Sequence, residues 1–202
     1  MTRERMIRTH GLLLGALLVY ALSMRLLPWI LRREGVNVDA GLAVYPWNFS
    51  PFPAICLFGA ACFRNVRWAY ALPLAAWFLG DLGIWHLTKR EWGFPPGALL
   101  QYGCFLLTIA LGLSLRKRRT VAAIAGTGLL AETVFFVVTN FGVWYLGDGK
   151  LYPHDSTGLL ACYVAGIPFF RNSLLSMGVF SAVLFTPVML AEKRDAAVAT
   201  AE

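Results

Sequence analysis

Residues 45–64, YPWNFSPFPAICLFGAACFR, contain an apolar run that is too short to cross a membrane. At ~1.5 Å per residue, a helix over 51–63 covers about 20 Å of a hydrocarbon core about 30 Å thick. Asn48 and Ser50 can cap its start, and Pro51 fits its first turn without losing a hydrogen bond. Non-helical backbone at membrane depth must be buried in protein or line a water-filled cavity. The stretch therefore predicts a half-length helix that begins at a cavity.

The composition of the whole chain predicts a membrane protein. Of 202 residues, 58% are hydrophobic and 14% are charged, and the mean hydropathy is +0.61. We expect an all-α, polytopic bundle forming a single integral membrane domain over 1–202. Six membrane helices are predicted from the apolar runs at 10–31, 51–63, 67–87, 96–115, 120–146 and 172–191.

A further apolar run at 158–170 is predicted to be a separate short helix, interfacial or re-entrant. Joined to 172–191, it would make a helix of about 51 Å with Arg171 stranded inside it. Thr157 can cap its start and Pro168 helps to end it. Its position suggests a lid over the outer mouth of the cavity.

The net charge of +7 is distributed as expected for a membrane topology signal. Most Lys and Arg residues fall on one side of the predicted spans, notably in RKRR at 116–119, which predicts cytoplasmic termini with short tails at 1–9 and 192–202. The N-terminal apolar run also fits a cleaved signal peptide, but it is longer than a typical signal core. The sequence has no basic face with interleaved aromatic residues, so nucleic-acid binding is not predicted.

Polar residues inside the predicted spans define the candidate ligand-binding site. Counted from the inner basic residues, Ser50, Asp81 and Glu132 share one depth, about 20 Å from the inner boundary. Helical spacing places Asn140 on the face of Glu132 and Trp77 on the face of Asp81. Intramembrane carboxylates are functional by default. The predicted ligand-binding residues are Asn48, Ser50, Trp77, Asp81, Glu132, Asn140 and Arg171.

Each of these residues also has a structural interpretation. Asn48 and Ser50 can act as caps only, and the two carboxylates can pair with Arg or Tyr to fix packing. Arg171 can be an interfacial anchor. Gly11 and Gly15 form a GxxxG pattern that predicts a helix-packing face. No catalytic residue, metal site or cofactor is predicted, because no ligand spacing or nucleophile motif is present.

Three segments resemble a family of small bacterial membrane proteins of uncharacterised function to which a transport role has been attached. They are NFSPFPAICLFGAACF at 48–63, ALPLAAWFLGDLGIW at 71–85 and TNFGVWYLGDGKLYPHDSTGLLACYVAGIPFFRN at 139–172. The family usually has Ser-Asp where this chain has Gly80-Asp81, and Glu132 is not part of its pattern. More distantly, the organisation is similar to the substrate-binding subunits of energy-coupling-factor vitamin transporters. The resemblance implies location in the bacterial inner membrane, a small-molecule solute and an energising membrane subunit as partner.

Three functions fit these observations. The first is a transporter, or a substrate-capture subunit, that binds a small solute in an outward-facing polar cavity. The protein would be a multi-pass membrane protein in contact with the lipid bilayer. The second is a non-catalytic assembly or scaffold subunit, suggested by the GxxxG pattern. The third, an intramembrane enzyme using two carboxylates as acid and base, has no supporting motif.

Overall fold

The computed structural model describes residues 3–38 and 46–199, with side chains for 11–38 and 46–192. These residues form six α-helices and a short 3-10 turn, which confirms the all-helical class. The helices are α1 Arg3–Arg33, α2 Phe52–Cys62, α3 Val66–Leu87, α4 Ala98–Leu113, α5 Val121–Leu146 and α6 Ser156–Ala199. Tyr45, the first residue of the opening stretch, lies outside the described residues, and each predicted tail lies partly outside them.

The half-length helix α2 occupies the centre of the bundle and packs against each of the other five helices. Most of its side chains are buried, and Ala54, Cys56 and Leu57 have no exposed surface. Its close contact with α4 depends on Gly112, where an added Cβ would lie 2.8 Å from the Leu57 carbonyl oxygen. A helix that is apolar on all sides is expected in such a core.

The start of α2 differs in detail from the prediction. Pro51 is the N-cap residue itself, and Pro53 lies in the first turn. The Ser50 Oγ accepts a hydrogen bond of 3.3 Å from the Phe52 N–H. Asn48 is not the cap, because it lies further back, in a turn with φ of 63° that reverses the chain before the helix.

The other end of α2 is closed by arginines from the segment that joins α4 to α5. Arg116 donates from Nε to the Ala60 carbonyl at 2.7 Å and from Nη2 to the Phe63 carbonyl at 2.6 Å. Arg119 donates to the Ala61 carbonyl at 2.9 Å. These guanidinium groups satisfy carbonyls that a helix end leaves without intrahelical partners.

Four stretches of the described helices are long and apolar enough to span a membrane, as expected for a membrane protein: Gly11–Arg33, Ala98–Arg116, Val121–Leu146 and Ser156–Glu192. The short apolar α2 is not among them, and neither is α3, which has 22 residues and carries the buried Asp81. The count of six membrane helices therefore stays a prediction.

The prediction of a separate short helix at 158–170 is wrong. Residues 156–199 form one helix of 44 residues, with Pro168 inside it. The helix is held against α5 along its length, since Tyr163 bonds the Val137 carbonyl and Ser173 bonds Glu132. Residues 158–170 thus belong to the N-terminal part of the last long helix, and Gly166, Phe169 and Phe170 line a cavity instead of forming a lid.

The reason for this error is that Pro168 and Arg171 lie inside α6, whereas a proline and an arginine in an apolar run usually indicate a helix boundary. Glu192 pairs with Arg119, just before α5 begins, so the last residues of α6 extend past the start of α5. The start of α6 is capped by Asp155, whose carboxylate accepts from the Gly158 N–H at 2.7 Å, and not by Thr157.

Candidate functional site

Two adjoining cavities lie at the end of the bundle where α1 and α3 finish and α4 begins. The first, here called the tryptophan cavity, has a volume of about 230 Å³ and is lined by Trp29, Trp47, Trp77 and Trp92. The second, the Glu132 cavity, also has about 230 Å³ and lies between α5 and α6. Four residues line both cavities and mark where they meet: Arg25, Asn48, Trp77 and Gln101.

Arg25 and Asp81 form an ion pair beside these cavities. The Arg25 Nη2 binds one carboxylate oxygen of Asp81, and the Tyr102 hydroxyl donates to the other at 2.6 Å. The guanidinium carbon of Arg25 lies 3.5 Å from the ring centroid of Trp77. Asp81 is buried and lines neither cavity described above, so it faces Arg25 and Tyr102 and holds the arginine at the wall.

The close approach of Arg25 to α3 depends on Gly80. A Cβ added at Gly80 would lie 2.7 Å from the Arg25 Cδ and 3.0 Å from its Nε. Any side chain here requires Arg25 to move. Gly80 thus creates the groove through which the arginine reaches Asp81.

Glu132 projects from α5 and is 2% exposed. Its Oε2 accepts a hydrogen bond from the Ser173 hydroxyl of α6, whereas its Oε1 is buried without a hydrogen-bond partner in the described part of the chain. Two donors on the same lining, Arg25 Nε and Trp77 Nε1, are also buried without partners there. Buried polar groups are normally hydrogen-bonded, so this concentration of unsatisfied atoms is unusual.

Other predicted residues lie on the same cavities. Asn140 lines the Glu132 cavity, as expected from its shared helix face with Glu132, and its neighbour Thr139 lines it as well. Ser50 lines the tryptophan cavity, and Asn48 lines both. The segment that carries them is tied to α6 by Asn172, which donates to the Trp47 carbonyl at 3.0 Å.

Two predicted features are not brought to the site. Arg171 is exposed on α6 and lines neither cavity, so the structure does not bring it to these cavities, and its ligand-binding role stays a prediction. Gly11 and Gly15 are exposed, and an added Cβ at either would meet no described atom within 4 Å. They are not a packing face within the described part of the chain.

Sequence reasoning missed Arg25, Gln101, Tyr102 and Ser173. The sequence did contain a signal for Arg25. The number of residues from Arg25 to Arg33 at the end of α1 equals the number from Asp81 to Lys89 just after α3. Arg25 and Asp81 therefore share a depth. Gln101 and Ser173 belong to apolar helices in which an isolated polar residue has no distinguishing pattern. Their role depends on tertiary packing.

Comparisons with known proteins place the chain in an uncharacterised family. Neither the curated proteins nor the solved structures contain a match. The profile of a family of unknown function, DUF6580, matches residues 5–199. The resemblance to a family of unknown function is thereby confirmed, while the transport role and the likeness to vitamin transporters stay predictions. With this match over almost its whole length, the chain belongs to the family of unknown function DUF6580.

Proposed function

We propose that this protein binds a small solute in the joined cavities and is a membrane transporter or the substrate-capture subunit of one. One observation carries the proposal. Three buried polar atoms without described partners, Arg25 Nε, Trp77 Nε1 and Glu132 Oε1, belong to residues that line the same cavity. Leaving a buried polar group unsatisfied costs about 1–3 kcal/mol. A bound solute that pairs with these atoms offsets that cost.

The position of the cavities supports binding from one side of the membrane. They lie at the end of the bundle that carries segments 34–38, 46–51 and 88–97. The arginines that close α2 lie at the opposite end. By the distribution of basic residues the arginine end is cytoplasmic, so the cavities open outward.

The proposal is tested by filling the junction of the cavities. Gln101 lines both cavities, whereas Leu99 on the same helix is 84% exposed. We expect Gln101→Trp to exclude the solute because the indole occupies the junction. Leu99→Trp adds the same side chain to the outer surface and serves as the matched control.

Small molecules released on denaturation are compared by mass spectrometry for the wild type and both variants, each purified in native lipid discs. The expected result is a molecule present in the wild type and in Leu99→Trp but missing from Gln101→Trp. Identical profiles in all three proteins, with Gln101→Trp folded, contradict a solute site at this junction.

The scaffold function rests on a separate observation. The exposed Gly11 and Gly15 leave one face of α1 open to close approach by another membrane helix. Such contact also fits an energising subunit that a capture protein requires. A negative result in the solute experiment places the scaffold function first.

A further inference from the structure

The charges on the cavity lining are not balanced within the described chain. Arg25 and Glu132 are the charged side chains among the residues lining the two cavities. The charge of Arg25 is opposed by Asp81. Glu132 is instead hydrogen-bonded to the neutral hydroxyl of Ser173. The lining therefore offers a carboxylate to an incoming positive charge, while its one arginine already has a counterion.

The face of α5 toward the Glu132 cavity presents hydrogen-bond acceptors. The Thr139 hydroxyl donates to the Phe135 carbonyl at 2.7 Å, and the Asn140 Nδ2 donates to the Phe136 carbonyl at 2.8 Å. These bonds use the Thr139 hydroxyl hydrogen and one of the two Asn140 amide hydrogens, which leaves the lone pairs of Thr139 Oγ1 and Asn140 Oδ1 and the second amide hydrogen. An ammonium group has three donors and no acceptor, so it is complementary to these lone pairs.

Aromatic rings supply the other walls. Four tryptophans line the tryptophan cavity, with Trp29 and Trp92 at 6.1 Å between ring centroids. In the Glu132 cavity, Phe136 and Phe170 stack at 4.7 Å. Faces of aromatic rings attract cations, most strongly when water is excluded. At about 230 Å³ each, the cavities have room for a small molecule only.

Building on the proposed function, we propose that the solute is a small protonated amine. Its ammonium N–H donates to Glu132 Oε1, and its carbon skeleton packs against the aromatic walls. An acceptor elsewhere on the molecule takes the hydrogen bond that Trp77 Nε1 has no described group to receive. The carboxylate of Glu132 is the group that selects for positive charge.

The charge class is tested with three probes of similar size that share a phenol oxygen as the acceptor for Trp77 Nε1: tyramine, 4-(2-hydroxyethyl)phenol and 3-(4-hydroxyphenyl)propionate. Binding to the wild-type protein in lipid nanodiscs is measured by calorimetry and by quenching of tryptophan fluorescence. We expect the amine to bind at least about tenfold more tightly than the alcohol, because the amine pairs with a desolvated carboxylate. The carboxylate probe should bind most weakly of the three.

The role of Glu132 is tested with Glu132→Gln, which keeps the shape of the side chain and removes its charge. The amine and the alcohol should then bind with affinities within about threefold of each other. Ser173→Ala leaves the charge in place and should keep the preference for the amine. Glu192→Gln, in the ion pair with Arg119, is a matched control outside the cavities and should also keep it.

Two outcomes overturn the proposal. One is equal or tighter binding of the alcohol or the carboxylate to the wild type, or no binding of the amine at millimolar concentration. The other is an unchanged preference for the amine in Glu132→Gln. If Gln101→Trp still removes a co-purified molecule, the cavity remains a solute site and only the amine class is rejected. If that result also fails, the proposed function falls with it.

Discussion

The carboxylate of Asp81 has both oxygens engaged inside the protein, one by Arg25 and one by Tyr102. A solute has no free oxygen of Asp81 to bind. What Asp81 provides is position: it fixes the guanidinium of Arg25 against Trp77, where both residues line the cavities. At the scale of single residues, the two buried carboxylates therefore have different tasks. Asp81 holds a wall of the site, and Glu132 offers a group to the cavity.

This difference predicts a loss of stability in Asp81→Asn. Neutralising Asp81 leaves Arg25, whose side chain is 20% exposed, without its counterion. Breaking a buried ion pair from one side costs about 3 kcal/mol or more, whereas replacing both partners with apolar residues is often close to neutral. We expect Asp81→Asn to lower the melting temperature and the double variant Arg25→Met, Asp81→Leu to recover most of it.

Tyr102→Phe provides the graded comparison in the same melting experiment. It removes one hydrogen bond to the carboxylate and should cost about 1.5–3 kcal/mol. An Asp81→Asn protein that melts like the wild type and yet fails to bind solute would show instead that Asp81 contacts the solute directly.

At the scale of elements, α2 is a half-length helix secured at both ends. Its start is fixed by Pro51 and by the bond from the Phe52 N–H to Ser50. Its end is fixed by Arg116 and Arg119. A helix shorter than the bilayer has to satisfy its terminal carbonyls with protein groups, because lipid offers none. The basic segment after α4 therefore has a structural role in addition to its predicted role in membrane topology.

We predict that Arg116→Gln lowers stability while Arg118→Gln does not. Both changes remove one positive charge from the same segment, but Arg118 is exposed and Arg116 reaches two carbonyls of α2 and its C-cap. Loss of these charge-assisted hydrogen bonds should cost about 2–4 kcal/mol. Denaturation in detergent, followed by helical circular dichroism, measures the difference. Equal stability of the two variants would mean that the α2 carbonyls find other partners.

The sequence predicted α2 well because its signals are local. Prolines, a short apolar run and a following arginine appear within 20 residues. The sequence-based prediction failed for α6, because a proline and an arginine within an apolar run usually indicate a helix boundary. In the folded chain, α6 continues past Pro168 because bonds to α5 hold it on both sides of the proline. Arg171 is exposed and does not interrupt the helix. The shared face of Glu132 and Asn140 follows from helical period, but the pairing of Arg25 with Asp81 depends on which helices become neighbours.

At the scale of the whole molecule, the two ends of the bundle have different chemistry. One end carries the cavities and a concentration of tryptophans, including the half-exposed Trp92 at the edge of its cavity. The other carries the arginines that close α2 and the Arg119–Glu192 pair. Tryptophan is enriched at membrane interfaces, and basic residues are enriched on the cytoplasmic side. On the proposed function, this polarity predicts the side of the membrane from which the solute enters.

The orientation is tested with single cysteines in a variant whose Cys56, Cys62, Cys104 and Cys162 have been replaced. Lys150 and Lys117 are exposed at opposite ends of the bundle, and Gln101 lies at the junction of the cavities. In intact cells, an impermeant maleimide should label Lys150→Cys fully and Gln101→Cys more slowly, because the latter is reached through the cavity. Lys117→Cys should react only after the cells are permeabilised.

Labelling of Lys117→Cys but not Lys150→Cys in intact cells would invert the topology and turn the cavity toward the cytoplasm. Labelling of Lys150→Cys without Gln101→Cys would keep the topology and show that the cavity is closed to the outside.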